Sequence, residues 1–310
     1  MHVTDRLLRL LDPARATDPA VSEEEAEMLR MRIISSERHL SRPHPRRRLL
    51  VWASAVTVTA AVAVAGVGLV GGPAQDSAYA ATPAPLQLED AQGAPAAETL
   101  QQLARAAERS PIPGSGKVKH FRYETWSLFT RIDGDRVTSE VIPQSYETWK
   151  QPDGSTRQVQ TSNGTSTTDD FPSTDKPDPP GAPTPESMKQ WVLSQGDGTG
   201  AGAFLNRLNE RSLDTVLTPQ QSAGILRALA SFDGVEYHGG VQDRSGRAGM
   251  AFSVDSDFGG LPKKQTAIFG PDTGKLLAYE EMLTEDAGEL NVRIPSVTEY
   301  TTHLSSGYSN

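Results

Sequence analysis

Beyond residue 71 the chain holds only three histidines, and two of them lie close in sequence to a carboxylate: His120 with Glu124, and Glu236 with His238. Such a pair does general acid–base work when both groups reach one substrate proton. These pairs fall in separate strand-like runs, as does His303, and read as ordinary polar surface positions. Asp255-Ser256-Asp257-Phe258-Gly259 opens like a calcium loop, but its twelfth position is Thr266 where a bidentate Glu belongs. Pro111–Lys117 (PIPGSGK) ends like a phosphate loop, yet it lacks the first glycine and the Ser/Thr after Lys117, so it reads as a turn. Gly270–Lys275 is too short for the same motif. Neither G-x-S-x-G nor H-E-x-x-H occurs. The absence of cysteine excludes disulfides, thiolate metal sites and cysteine nucleophiles. The expectation is a non-enzymatic protein without catalytic residue, metal or cofactor. A hydrolase with an unrecognised site is the enzymatic alternative.

The aromatic residues are more informative. Phe121, Tyr123, Trp126, Trp149, Tyr237, Phe252 and Tyr279 all fall in strand-like runs. Their ordinary role is to fill a core between sheet and helices. Their candidate functional role is to line a groove for an apolar or peptidic ligand, with a nearby proline-rich loop as its cover.

The elements that must position them follow from periodicity. Residues 98–109 carry Leu100, Leu103, Ala104 and Ala107 at helical spacing, stopped by Pro111 and Pro113. Long alternating strands follow from Lys117, with a bulge expected near Thr125 and an edge or break at Pro143. Asp153-Gly154 and Asn163-Gly164 signal hairpins. Asp169–Pro185 contains six prolines and reads as a disordered loop. Three helices are expected next: one opened by Thr184-Pro185, one over 203–211, and one behind the capping box Thr218-Pro219-Gln220-Gln221. Strands then resume from Val235 to the end. With no βαβ alternation the class is α+β, a curved antiparallel sheet of half-barrel form with helices on one face.

Upstream lies Leu49–Val70, 22 residues without charge or proline. As a helix it would reach roughly 33 Å, enough for a hydrocarbon core of about 30 Å. Arg46, Arg47 and Arg48 precede it, and no Lys or Arg follows until Arg105. Basic flanks stay cytoplasmic, so 1–48 is expected inside and 71–310 outside the cell membrane. Ala78-Tyr79-Ala80 has the form of a cleavage site, which makes a secreted product beginning at Ala81 the rival reading. Residues 71–97 read as a flexible tether, and 98–310 as the extracytoplasmic domain.

The formal net charge is −9. Residues 1–48 hold 10 basic and 8 acidic side chains, and the remainder 20 and 31, net −11. An exterior part so acidic is not expected to bind nucleic acid. The head has two short amphipathic helices, with Leu7, Leu10 and Leu11 on one and Leu29 and Ile33 on the other. Either it is a solvated leader, or those residues meet a cytoplasmic partner. A zinc-binding anti-sigma module would need a His followed by paired Cys, which the chain lacks. Every fourth residue from Ala53 to Ala65 is small, a spacing that permits close helix approach but arises readily in so alanine-rich a run.

The capped head, Arg46-Arg47-Arg48 before one span, Ala78–Leu86 (AYAATPAPL), Asp243–Gly249 (DRSGRAG) and Phe269–Glu280 (FGPDTGKLLAYE) together resemble a family of uncharacterised single-pass membrane proteins from actinobacteria. Members are often encoded beside an extracytoplasmic-function sigma factor. The exterior part is also similar in pattern to the half-barrel of periplasmic lipoprotein carriers. The topology and the amphipathic head lead to the expectation of a membrane-anchored envelope sensor or regulator, anti-sigma-like in acting on a sigma factor through its head. The alternative is a lipid- or hydrophobic-ligand-binding carrier module. The family offers no catalytic residues to carry over.

Overall fold

The chain divides at Gly71 into two units, Met1–Gly71 and Gly72–Asn310. The computed structural model describes residues 79–88 and 95–310 of the second, apart from 134, 135, 175 and 195. The expected span at 49–70, its arginines Arg46, Arg47 and Arg48, and the head residues Leu7, Leu10, Leu11, Leu29 and Ile33 lie outside the described residues. Among those described, no helix is long and apolar enough to cross a membrane.

Helix α1 (Ala96–Glu108) leads into β1 (Val118–Asp133), β2 (Arg136–Lys150), β3 (Thr156–Ser162) and β4 (Thr165–Phe171). Helices α2 (Pro185–Leu193), α3 (Ala201–Ser212) and α4 (Pro219–Leu229) follow. Strands β5 (Glu236–Gln242), β6 (Ala248–Ser256), β7 (Lys263–Phe269), β8 (Leu276–Leu283) and β9 (Ser296–Ser309) complete the domain. All nine strands form one open antiparallel sheet in the order β4-β3-β2-β1-β9-β8-β7-β6-β5. The class is α+β, as the order of elements implied.

Local chemistry accounts for the helix starts. Thr184 Oγ1 accepts from the Ser187 amide at 3.2 Å, and proline follows the cap. At α4, Thr218 and Gln221 cap each other reciprocally at 3.2 and 2.9 Å. The apolar stripe of α1 (Leu100, Leu103, Ala104, Ala107) packs into one core with Ala223, Leu226 and Leu229 of α4, and with Phe252, Ala267, Phe269 and Tyr279 of the sheet.

Two details differ from expectation and one agrees. The irregularity in β1 lies at Arg122/Tyr123 on the side of β9, where the register skips Leu304, and not near Thr125. Strict alternation alone sends Phe121 and Tyr123 to one face and Trp126 and Leu128 to the other. Pro143 lies within β2 opposite Trp126 of β1, and β3 pairs only from Gln144 onward, so the proline sits on an outer edge as expected. Finally, Asp169, Asp170 and Phe171 belong to β4. Further along that proline-rich run two carbonyls are anchored: Trp191 Nε1 donates to Pro177 O at 2.9 Å, and Gln221 Nε2 to Pro180 O at 3.3 Å.

The face of the sheet away from the helices has its own cover. Residues 79–88, within the stretch read as a tether, cross it, and Leu86 and Leu88 pack on Ala251, Ile268 and Ala278. The Leu86 amide donates to Glu280 Oε1 at 3.1 Å, and Arg244 bridges Glu280 to Ala84 O. A buried carboxylate thus serves as the clasp for this strap.

Candidate functional site

The seven aromatic candidates do not line one groove. Tyr237 and Phe252 lie 5.0 Å apart between ring centroids, and with Tyr279 they fill the helix-covered core. Phe121 and Tyr123 form a second cluster with Val216, Leu213, Tyr146 and Tyr308. Trp126 packs edge-on against Tyr300, and Trp149 stacks on His120, both on the opposite face. Alternation along β1 makes that division unavoidable. Phe121, Phe252 and Tyr279 are fully buried and act as core.

The histidines also stand apart. His120 Nε2 meets Glu147 Oε1 at 2.9 Å near the surface. His238 is buried with Nε2 2.7 Å from Ser253 Oγ. His303 is buried with Nε2 2.9 Å from Asn209 Oδ1. Burial, with the Arg247 charge nearby, pushes His303 down to about 3, so its ring is neutral. Among the described residues, no three His, Asp or Glu side chains converge as a metal site.

The feature that spacing did not reveal is a polar seam between α3 and the sheet. Tyr279, Glu281, Glu299, Thr301 and His303 alternate along β8 and β9 so that all face α3. Glu281 Oε1 accepts from Tyr279 Oη at 2.5 Å, Gln265 Nε2 at 3.1 Å and Asn206 Nδ2 at 3.2 Å. Its other oxygen lies 3.0 Å from Lys263 Nζ. Asn209 donates to Thr301 Oγ1 at 3.3 Å and to Glu299 at 3.5 Å. Burial and then the charge on Glu281 hold the Tyr279 phenol well above its usual range, so it serves as a neutral donor. Two carboxylates in the otherwise apolar KLLAYEEML, and Asn206 with Asn209 one helical turn apart, were the available signals.

At the end of this seam lies a cavity of about 40 Å³, room for a few waters at roughly 10–15 Å³ each. Leu208 from α3, Leu217, Ile225 from α4, and Phe269 and Leu276 flanking the β7–β8 turn form its apolar wall, and Ser212, Thr215, Ser222 and Ser306 line it with polar groups. Lys275 and His303 supply the nitrogen groups. The Lys275 amine donates to Ser306 O at a long 3.5 Å, and burial pulls its pKa down. An amine so weakly held, beside an apolar wall, favours a ligand that brings its own negative charge.

No family model matches the chain, and no curated protein matches it. Among solved structures it is similar to a DUF1329 family protein from Desulfovibrio piger, at 8% identity and a TM-score of 0.19, over 69% of this chain and 93% of that one. So low a score leaves the site to be argued from its own geometry.

Proposed function

We propose that the described domain is a non-enzymatic ligand-binding module of the cell envelope, held outside the membrane by residues 49–70. It takes a small amphiphile, an apolar body with an anionic head, between α3, α4 and the β7–β8 turn. A half-barrel, carrier-like use of the sheet belongs to this proposal. The observation that carries it is the Lys275 amine, with one long hydrogen bond, at a cavity partly walled by Leu208, Leu217, Ile225, Phe269 and Leu276. The cavity as it stands holds only a few atoms, so binding requires Leu217 and α4 at Ile225 to yield. Titrating the full chain in nanodiscs with octanoate, against empty nanodiscs, tests this. Lys275→Gln is expected to weaken binding about tenfold or more, the loss of one charge-assisted contact. Equal affinity in both proteins overturns the reading.

The sensor reading adds a cytoplasmic partner, a sigma factor, for Leu7, Leu10, Leu11, Leu29 and Ile33. Its support is their amphipathic spacing beside Arg46, Arg47 and Arg48. Affinity capture on residues 1–48 that recovers no transcription factor removes it.

A further inference from the structure

Strands β1 and β2 outrun the rest of the sheet. β1 pairs with β9 only as far as Ser127, opposite Glu299, and β2 pairs with β3 only from Gln144. Residues 128–133 and 136–141 therefore pair with each other alone. A two-stranded ribbon has no core of its own to face. On one side of this ribbon Leu128 opposes Val141; on the other, Phe129 stands opposite Glu140, with Ile142 at the ribbon's base opposite Ser127. Phe129 is 46% exposed.

The start of the strap reaches the same end of the sheet. The Ala80 amide donates to Asn291 O at 2.8 Å, and the Asn291 amide donates to Ser139 Oγ on the ribbon at 3.4 Å. Thr82 meets Ser296 at 3.0 Å. Tyr79 is 55% exposed, with the Arg293 guanidinium 5.1 Å from its ring centroid. The apolar run expected to span the membrane ends at Val70, so the chain from there to Tyr79 reaches at most roughly 30 Å when fully extended. Tyrosine and phenylalanine with arginine alongside suit the headgroup layer, where an aromatic body is buried and a charged tip stays wet.

We propose that this end of the domain, the β1–β2 ribbon with Tyr79 and Arg293, rests on the bilayer surface. The proposal rests on the membrane-anchor reading above. Its chemistry is apolar. Arg131 and Arg293 share this end with Glu140, Glu285, Asp286 and Glu289, an acidic excess that gives anionic lipid no advantage. Docking therefore occurs on phosphatidylcholine and survives high salt.

The lack of cysteine makes the test direct. In the full chain, Thr138→Cys labels an exposed ribbon position on the side of Phe129, and Asp272→Cys labels the exposed β7–β8 turn at the other end of the sheet. Each is coupled to an environment-sensitive fluorophore and reconstituted in phosphatidylcholine liposomes carrying a headgroup-depth quencher. The expected result is a blue shift and quenching at 138 and neither at 272, unchanged by salt. Adding Phe129→Ser should abolish both effects at 138, and Glu140→Cys is the alternative label if the first variant loses its circular dichroism. Equal responses at 138 and 272 overturn the docking, while a chain that resists alkaline carbonate extraction keeps the anchor. A chain extracted by carbonate loses the anchor, and the docking falls with it.

Discussion

Glu281 of β8 and Glu299 of β9 stand directly opposite one another, and each accepts from an asparagine of α3. Their surroundings differ. Glu281 has Tyr279, Gln265, Asn206 and Lys263 within reach, whereas the Asn209 contact to Glu299 is 3.5 Å long. Burial first, then the charges on Glu281 and Glu210, push Glu299 up to about 7. One carboxylate of the pair has been given the donors and the other holds the proton.

That asymmetry makes the domain pH-dependent in a defined direction. Glu299 is raised in the fold, so its contribution is complete below about 4.5 and is lost as pH rises toward about 7. His303 is lowered to about 3, so its contribution is present above about 6.5 and is lost as pH falls from there. The two slopes oppose each other between about 4.5 and 6.5. Glu299→Gln should leave stability rising more steeply with pH across that window than in the wild type, measured as urea midpoints. Parallel wild-type and variant curves would refute the assignment.

Lys275→Met separates binding from folding. Replacing a half-buried amine by a thioether of similar length removes a desolvation cost and keeps the wall packed, so stability should hold or rise slightly. Octanoate binding should nevertheless fall. A variant that loses both would mark Lys275 as a structural residue, through Ser306.

Glu280→Gln tests the clasp on the strap. Glu280 is buried and raised by that burial, although Arg244 and the Leu86 amide pull the other way. The neutral amide leaves Arg244 without its ionic partner, at a cost of roughly 1–3 kcal/mol. Residues 79–88 should become cleavable by trypsin-free limited proteolysis well before the sheet opens. Unchanged protection would show that Leu86 and Leu88 hold the strap unaided.

Gly274→Ala probes the turn beneath α1 and α4. Gly274 has φ +59°, and an added Cβ would lie 2.7 Å from both Ala107 Cβ and Leu226 Cδ1. Backbone strain and overpacking coincide there, so a loss of roughly 2–4 kcal/mol is expected in thermal or urea unfolding. Gly246→Ala has equally positive φ (+77°) but open space around it, and should cost less.

Much of the fold was legible because its causes are local. Thr184-Pro185 and Thr218–Gln221 carry their caps within four residues, and all four helices lie where apolar spacing put them. The α+β class followed from element order. The site was less legible. Phe121 and Trp126 were grouped by type, yet alternation along one strand places them on opposite faces. Lys275 carried no signal beyond a stretch too short for a phosphate loop, and it lines a cavity with Leu217 and Ile225, fifty or more positions away.

By itself the sequence determined the helices, the turns and the strand-forming runs, along with an acidic balance beyond residue 71 and the absence of cysteine chemistry. Each of these depends on the preferences of neighbouring residues. Only the tertiary structure decided that β1 and β9 pair across some 175 residues, which joins the two halves of the sheet and puts His303 opposite Tyr123. It also decided that Glu281 faces Glu299, and that residues 79–88 lie on the sheet instead of hanging from it. Register, the cover on each face and the burial of a charge arise from contacts between distant segments, and short-range spacing carries no record of them.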